Sequence, residues 1–141
     1  MNPEDRELRA LLGDTRTIAV VGLSSRPRRP SFEVATYLAD HGYRIVPVNP
    51  NETEVLGERA YASLLDIPRE VAIDVVDVFR RASATPEVAR QAVAIGAKVL
   101  WLQEGIVSDE AAAIASAGGL DVIMGVCIKH VRERLMREAP S

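Results

Sequence analysis

The sequence predicts a single α/β domain, a Rossmann-like, doubly wound parallel sheet with helices on both faces. Three observations predict it. Short apolar runs such as Ile18-Ala19-Val20-Val21 have the unbroken character of strands buried on both sides. Helical patterns alternate with these runs along the whole chain. The first run also passes at Gly22 into a small-residue bend and then at once into a helix start, the layout of a turn whose backbone N–H groups face an anion.

Each element has a local reason. Residues 4–12 read as a short helix with Leu8, Leu11 and Leu12 on one face, ended by Gly13-Asp14. The first strand runs from Thr17 to Gly22. A helix follows from Ser31 to His41, with Val34, Ala35, Leu38 and Ala39 as its inner stripe and Gly42 as its stop. The second strand, Tyr43 to Val48, ends at Asn49-Pro50-Asn51 because proline cannot continue a ladder. Between Glu54 and Pro68 the pattern is irregular. Gly57-Glu58-Arg59-Ala60 is expected as a short edge strand and Ser63-Leu64-Leu65-Asp66 as one helical turn.

The fourth strand, Ala72 to Phe79, carries Asp74 and Asp77 three residues apart, hence on opposite faces and not a carboxylate pair. Thr85-Pro86-Glu87 supplies an N-cap, a proline at N1 and a first-turn acid. Val88, Ala89, Ala92, Val93 and Ile95 form the apolar face of that helix, and Gly96 ends it. Lys98 to Leu102 is the fifth strand. Ser108-Asp109-Glu110 opens an alanine-rich helix that stops at Gly118-Gly119, Asp121 to Met124 is the sixth strand, and Ile128, Val131 and Leu135 pattern a last helix. The expected strand order is 3-2-1-4-5-6. The domain divides into an amino-terminal helix (1–14), a core (15–128) and a carboxyl-terminal helix and tail (129–141), with no repeat or linker.

Composition narrows the function. The 141 residues are 48% hydrophobic and 26% charged, which fits a globular chain and excludes a disordered one. A net charge of −3 argues against a general nucleic-acid binder, so any polyanion site is local. One cysteine makes no internal disulfide, and a reducing compartment is the default. The start, Met1-Asn2-Pro3-Glu4-Asp5-Arg6, is polar and unlike a signal peptide, and no apolar run approaches the ~18 residues of a membrane span. The expected location is the cytoplasm.

Ligands of doubly wound sheets bind beyond the carboxyl ends of the strands. That singles out residues 22–31, 48–51, 79–86, 102–108 and 124–128. Where a dinucleotide fingerprint has three glycines, this chain has Gly22, Ser24 and Pro27, and its second strand ends in Val48-Asn49-Pro50 with no acid for a ribose. NAD is therefore disfavoured. The Gly-Lys-Ser/Thr of a P-loop is absent too. What remains is a turn with two hydroxyls, Ser24 and Ser25, followed by Arg26, Arg28 and Arg29. A guanidinium fork suits phosphate. The competing reading, solvated loop charge, is weaker because these arginines sit at the expected ligand edge.

Gly22-Leu23-Ser24-Ser25 with Arg29-Pro30-Ser31, Pro47-Val48-Asn49-Pro50, Leu56-Gly57-Glu58, Ser63-Leu64-Leu65-Asp66-Ile67-Pro68, Asp77-Val78-Phe79-Arg80 and the run from Gly96 to Ile106 (Gly-Ala-Lys-Val-Leu-Trp-Leu-Gln-Glu-Gly-Ile) follow one another in order. Over about residues 15–130 the chain strongly resembles the small, stand-alone CoA-binding domain proteins. That family is similar to the amino-terminal CoA-binding domain of the succinyl-CoA ligase α-subunit. It departs in one place: such proteins commonly read Met-Asp-Arg-Cys-Ile where this chain has Met124-Gly125-Val126-Cys127-Ile128. Whatever the Asp-Arg pair does in relatives, Gly125 and Val126 cannot do here.

The resemblance implies coenzyme A or acyl-CoA as a small-molecule ligand. Its diphosphate is placed on Gly22, Ser24 and Ser25, with Arg26 or Arg28 as counter-charge. Asn49 and Pro50, with Phe79 and Arg80 across the sheet, border the adenosine end, where an arginine meets the 3′-phosphate. For Phe79 plain sheet packing stays equally open. Gln103 is a ligand contact and Trp101 a core residue. Cys127 reads as a small buried hydrophobe rather than an acceptor of thiol or acyl groups. His41 is expected to bond its own helix carbonyls, and neither it nor His130 matches a metal or triad spacing. No nucleophile, base and orienter come together, so binding without catalysis is expected. Two alternatives stand beside it: a piece of an acyl-CoA ligase needing a partner subunit, and an NAD(P)-responsive regulatory protein. Self-association through the alanine-rich or the last helix is left open.

Overall fold

The computed structural model describes residues 2–136, so the expected tail, residues 137–141, lies outside the described residues. Helix α1 (Asp5–Asp14) precedes strand β1 (Thr17–Val21), and α2 (Pro30–Asp40) leads to β2 (Arg44–Val48). Two short strands follow, β3 (Glu54–Val55) and β4 (Glu58–Arg59), then a single 3₁₀ turn over Leu64–Asp66. The remainder alternates: β5 (Val75–Val78), α3 (Thr85–Ala94), β6 (Val99–Leu102), α4 (Asp109–Ala117), β7 (Asp121–Met124) and α5 (Ile128–Leu135).

Five strands form one sheet in the order β2-β1-β5-β6-β7, every neighbouring pair parallel. Side chains of β1 alternate between two cores. Ile18 and Val20 join α1, α2 and α5 on one face, while Ala19 and Val21 join α3 and α4 on the other. This is the doubly wound α/β architecture that the alternation of elements predicts.

The predicted third sheet strand is corrected. Residues 54–59 instead fold back on themselves as an antiparallel hairpin, with Glu54 opposite Arg59 and Val55 opposite Glu58. Among the described residues a single parallel bridge, Val48 to Tyr61, continues the main sheet beyond β2. The loop residues Leu56 (φ 55°) and Gly57 (φ 76°) are both left-handed, as a two-residue hairpin turn demands. Smaller corrections concern helix details. α1 runs through Gly13 to Asp14 before Thr15 bonds back to the Leu11 carbonyl. Ala39 is exposed, and Ser31, Val34, Ala35 and Leu38 are the buried stripe of α2. Thr85 begins α3 instead of capping it.

Chain direction reverses across the sheet between β1 and β5, because α2 carries the chain outward to β2 and it then returns to the far side of β1. The carboxyl ends of β1 and β5 meet at Gly22 and Phe79, where the Phe79 amide donates to the Val21 carbonyl at 2.8 Å. A crevice opens at such a reversal in any doubly wound sheet.

Candidate functional site

A cleft of about 820 Å³ lies over this reversal point. Its floor begins at Gly22, which adopts φ +87°. A Cβ there would sit 2.5 Å from the Phe79 carbonyl oxygen, so only glycine lets the two strand ends close up.

The first turn is tightly cross-braced. The Ser24 amide donates to Ser31 Oγ at 3.0 Å, and the Arg26 amide donates to Ser24 Oγ at 3.1 Å. The Ser25 amide and hydroxyl both donate to Glu52 Oε2, at 2.8 and 3.0 Å. Asn49 ties the second strand end to the same turn, since its Nδ2 donates to the Leu23 carbonyl at 3.1 Å. The amides of residues 24–26 are thus already bonded to side-chain oxygens of the chain.

Of the residues singled out from sequence, the structure brings Gly22, Ser24, Arg26, Asn49, Phe79, Arg80 and Gln103 together along the cleft. Ser25, Arg28 and Pro50 stand next to it in the chain but do not form its walls. Phe79 packs half-buried on the core and also lines the cleft. Arg29 and Arg81, inside the segments singled out from sequence, also line it, while Glu52, Lys129 and His130 were not expected there. For Glu52 a signal existed: Asn49-Pro50-Asn51 is a strong turn sequence, and a turn there brings Glu52 back to the strand end.

Electrostatically the mouth of the cleft is cationic. Arg26, Arg29, Arg80 and Arg81 all border it. Among the described residues, none of the four has a carboxylate within ion-pair distance. Lys129 differs, because it pairs with Glu33 at 3.0 Å. That hydrogen bond holds its ammonium above the usual lysine range.

The inner end of the cleft is built by β6, β7 and α5. Gln103 is 4% exposed, and its Oε1 accepts the Ile128 amide at 3.1 Å, the first helical amide of α5. That acceptor role fixes the flip of the side chain, so Nε2 is the free donor, and it has no hydrogen-bond partner among the described residues. Trp101 is fully buried and its Nε1 donates to the Val126 carbonyl at 2.9 Å, a core role as expected. Gly125 takes φ +79°, a conformation its lack of a side chain permits at the departure from the family pattern. Cys127 is 8% exposed and borders the cleft. His41 is where its helix needs it, with Nδ1 2.7 Å from the Tyr37 carbonyl.

The chain has relatives among known proteins. The model of the family described as "CoA binding domain" matches residues 16–133. "Uncharacterized protein YneT" of Bacillus subtilis is 44% identical over 128 residues, covering 91% of this chain and 93% of its own. A hypothetical protein from Pyrococcus horikoshii OT3 superposes with a TM-score of 0.91 at 40% identity, over 95% of this chain and 93% of that one. "Acetate--CoA ligase [ADP-forming] II" of Archaeoglobus fulgidus is 35% identical over 85 residues. That match takes in 59% of this chain but only 12% of the ligase. With a family match running from the start of β1 nearly to the end of α5, the chain belongs to the CoA binding domain family.

Proposed function

We propose that the chain binds coenzyme A or an acyl-CoA non-covalently in the cleft over the β1/β5 reversal. The observation that carries this reading is the set of four arginines, Arg26, Arg29, Arg80 and Arg81, unpaired at the mouth of that cleft. Unpaired guanidinium groups gathered around one crevice in a chain of net charge −3 are suited to a ligand rich in phosphate.

In this reading the diphosphate lies over Gly22 and the Ser24 hydroxyl, and Arg26, Arg29 and Arg80 supply counter-charge. Because the amides of residues 24–26 already have partners, guanidinium groups rather than amides hold the anion. Ser25 and Pro50 then shape the two turns, with Asn49 joining them, while Arg28 adds charge from outside the wall. Phe79 offers an apolar surface toward the adenosine. The free Nε2 of Gln103 is a donor for a carbonyl of the pantetheine arm, deep in the cleft near Cys127. Isothermal titration tests the reading: coenzyme A is expected to bind and NAD to bind far more weakly. Tight NAD binding with no heat from high micromolar coenzyme A would overturn it.

The identity with an ADP-forming acetate–CoA ligase favours a second reading, in which the chain serves as the CoA-binding part of a larger ligase assembly. The remaining chemistry would then come from a partner subunit. Turnover of ATP, coenzyme A and a carboxylic acid only after a partner is added would establish that role.

A further inference from the structure

Glu52 brings to the end of β2, in space, an acid that the strand end lacks in sequence, so what speaks against NAD is the pair of fingerprint glycines replaced by Ser24 and Pro27. β2 stops at Val48, and Asn49-Pro50-Asn51-Glu52 reverses the chain. The Glu52 amide donates to the Asn49 carbonyl at 3.2 Å, and the Asn51 amide donates to Asn49 Oδ1 at 2.9 Å. Proline stands at the second position of this turn, where its fixed φ is favourable. The reversal returns Glu52 to the carboxyl edge of the sheet, where its Oε2 takes both donors of Ser25 and its side chain borders the cleft. Among the described residues, Oε1 carries no hydrogen bond and no cation pairs with Glu52. One carboxylate oxygen is therefore anchored on the first turn while the other is uncommitted.

A carboxylate only accepts, so what it takes from a ligand is a donor and never a phosphate. On a nucleotide whose phosphates lie against the nearby arginines, the donor adjacent to the phosphates is a ribose hydroxyl. Doubly wound dinucleotide sites read that hydroxyl with an acid placed beyond their second strand. We propose that Glu52 accepts a ribose hydroxyl of the bound nucleotide and so selects for the sugar. This rests on the coenzyme A reading above. In coenzyme A the 3′ position is phosphorylated, so the group read is the 2′-hydroxyl.

Titration of the wild-type chain, Glu52→Ala and Glu52→Gln with coenzyme A and with 2′-deoxy-coenzyme A tests this. The wild type is expected to hold coenzyme A about 10-fold tighter than the deoxy analogue, the equivalent of one hydrogen bond to a charged acceptor. Glu52→Ala is expected to bind the two ligands alike, and Glu52→Gln, whose amide is a neutral partner for the hydroxyl, to discriminate less than the wild type. Glu52→Gln retains an oxygen for Ser25, so it separates the loss of ribose reading from a loosened turn. If Glu52 only braced the turn, both ligands would weaken together and their ratio would persist, which overturns the proposal. An equal affinity of the wild type for the two ligands overturns it as well and leaves coenzyme A binding intact. If the wild type binds neither ligand, the coenzyme A reading fails and this inference with it.

Discussion

Asp77 is the residue that its surroundings serve least. It stands on the ladder between Val20 and Trp101, is fully buried, and neither carboxyl oxygen has a partner among the described residues. Burial pushes its pKa well above the ordinary value of 3.8, so the folded chain holds this proton to a higher pH than the unfolded chain does. An unpaired buried polar group costs about 1–3 kcal/mol. The unfolded chain releases this proton above 3.8 while the folded chain retains it. Stability is therefore lost as pH rises from there toward the folded pKa, at about 1.4 kcal/mol per pH unit. Asp77→Val is expected to be more stable than wild type by about 1–3 kcal/mol near pH 4, by more at neutral pH, and to lack this decline. Urea unfolding at several pH values checks it; parallel curves for the two proteins would refute it. Asp74 contrasts with it. Burial alone would raise its pKa, but the Thr17 and Arg16 amides and Lys98 outweigh that and hold the carboxyl below the ordinary range. The sequence places both aspartates on one strand, but β5 begins at Val75 and Asp74 lies in the bend just before it. Which of them finds donors depends on where the start of β1 lies, and that is a tertiary fact.

At the scale of elements, helix starts show how far local sequence reaches. Ser108 is a cap as its sequence predicts, its Oγ accepting the Ala111 amide at 3.1 Å. Ser108→Ala is expected to cost about 1 kcal/mol, read as a lower thermal midpoint. Thr85 has an equally good signature but a different role. A 3₁₀ turn over Ala82–Ala84 runs directly into α3, and the Thr85 hydroxyl donates back to the Ala82 carbonyl at 2.6 Å. The upstream turn had already satisfied the helix start. Strands β1, β2, β5 and β6 were legible because their apolar runs are buried on both faces, whereas in β7 only Ile123 is buried. The 54–61 segment was not, because nothing apolar forces it into the sheet. Leu56 is left-handed there, and it packs half-buried against the core.

For the whole molecule, topology explains what could be read of the cleft. Once the chain is a doubly wound sheet, loops at the carboxyl edge must meet, and seven of the ten residues chosen on that ground line the cleft. Lys129 escaped because it belongs to no recognisable motif, and Glu52 because the turn before it folds the chain back. The attraction for a polyanion is local, since Arg26, Arg29, Arg80 and Arg81 gather on one edge of a chain with net charge −3. Coenzyme A affinity is accordingly expected to fall on the order of tenfold between about 50 mM and about 500 mM salt, as screening shortens below the span of the cleft. Titrations across that range check it, and an affinity indifferent to salt would mean that the arginines do not hold the phosphates.

Trp101 gives this arrangement a further use. It is the chain's single tryptophan, and its indole is fastened to the backbone of Val126, one residue before the cleft cysteine. Its emission therefore originates just beneath the innermost part of the crevice, so the chain carries its own fluorophore for following occupancy there without any attached dye.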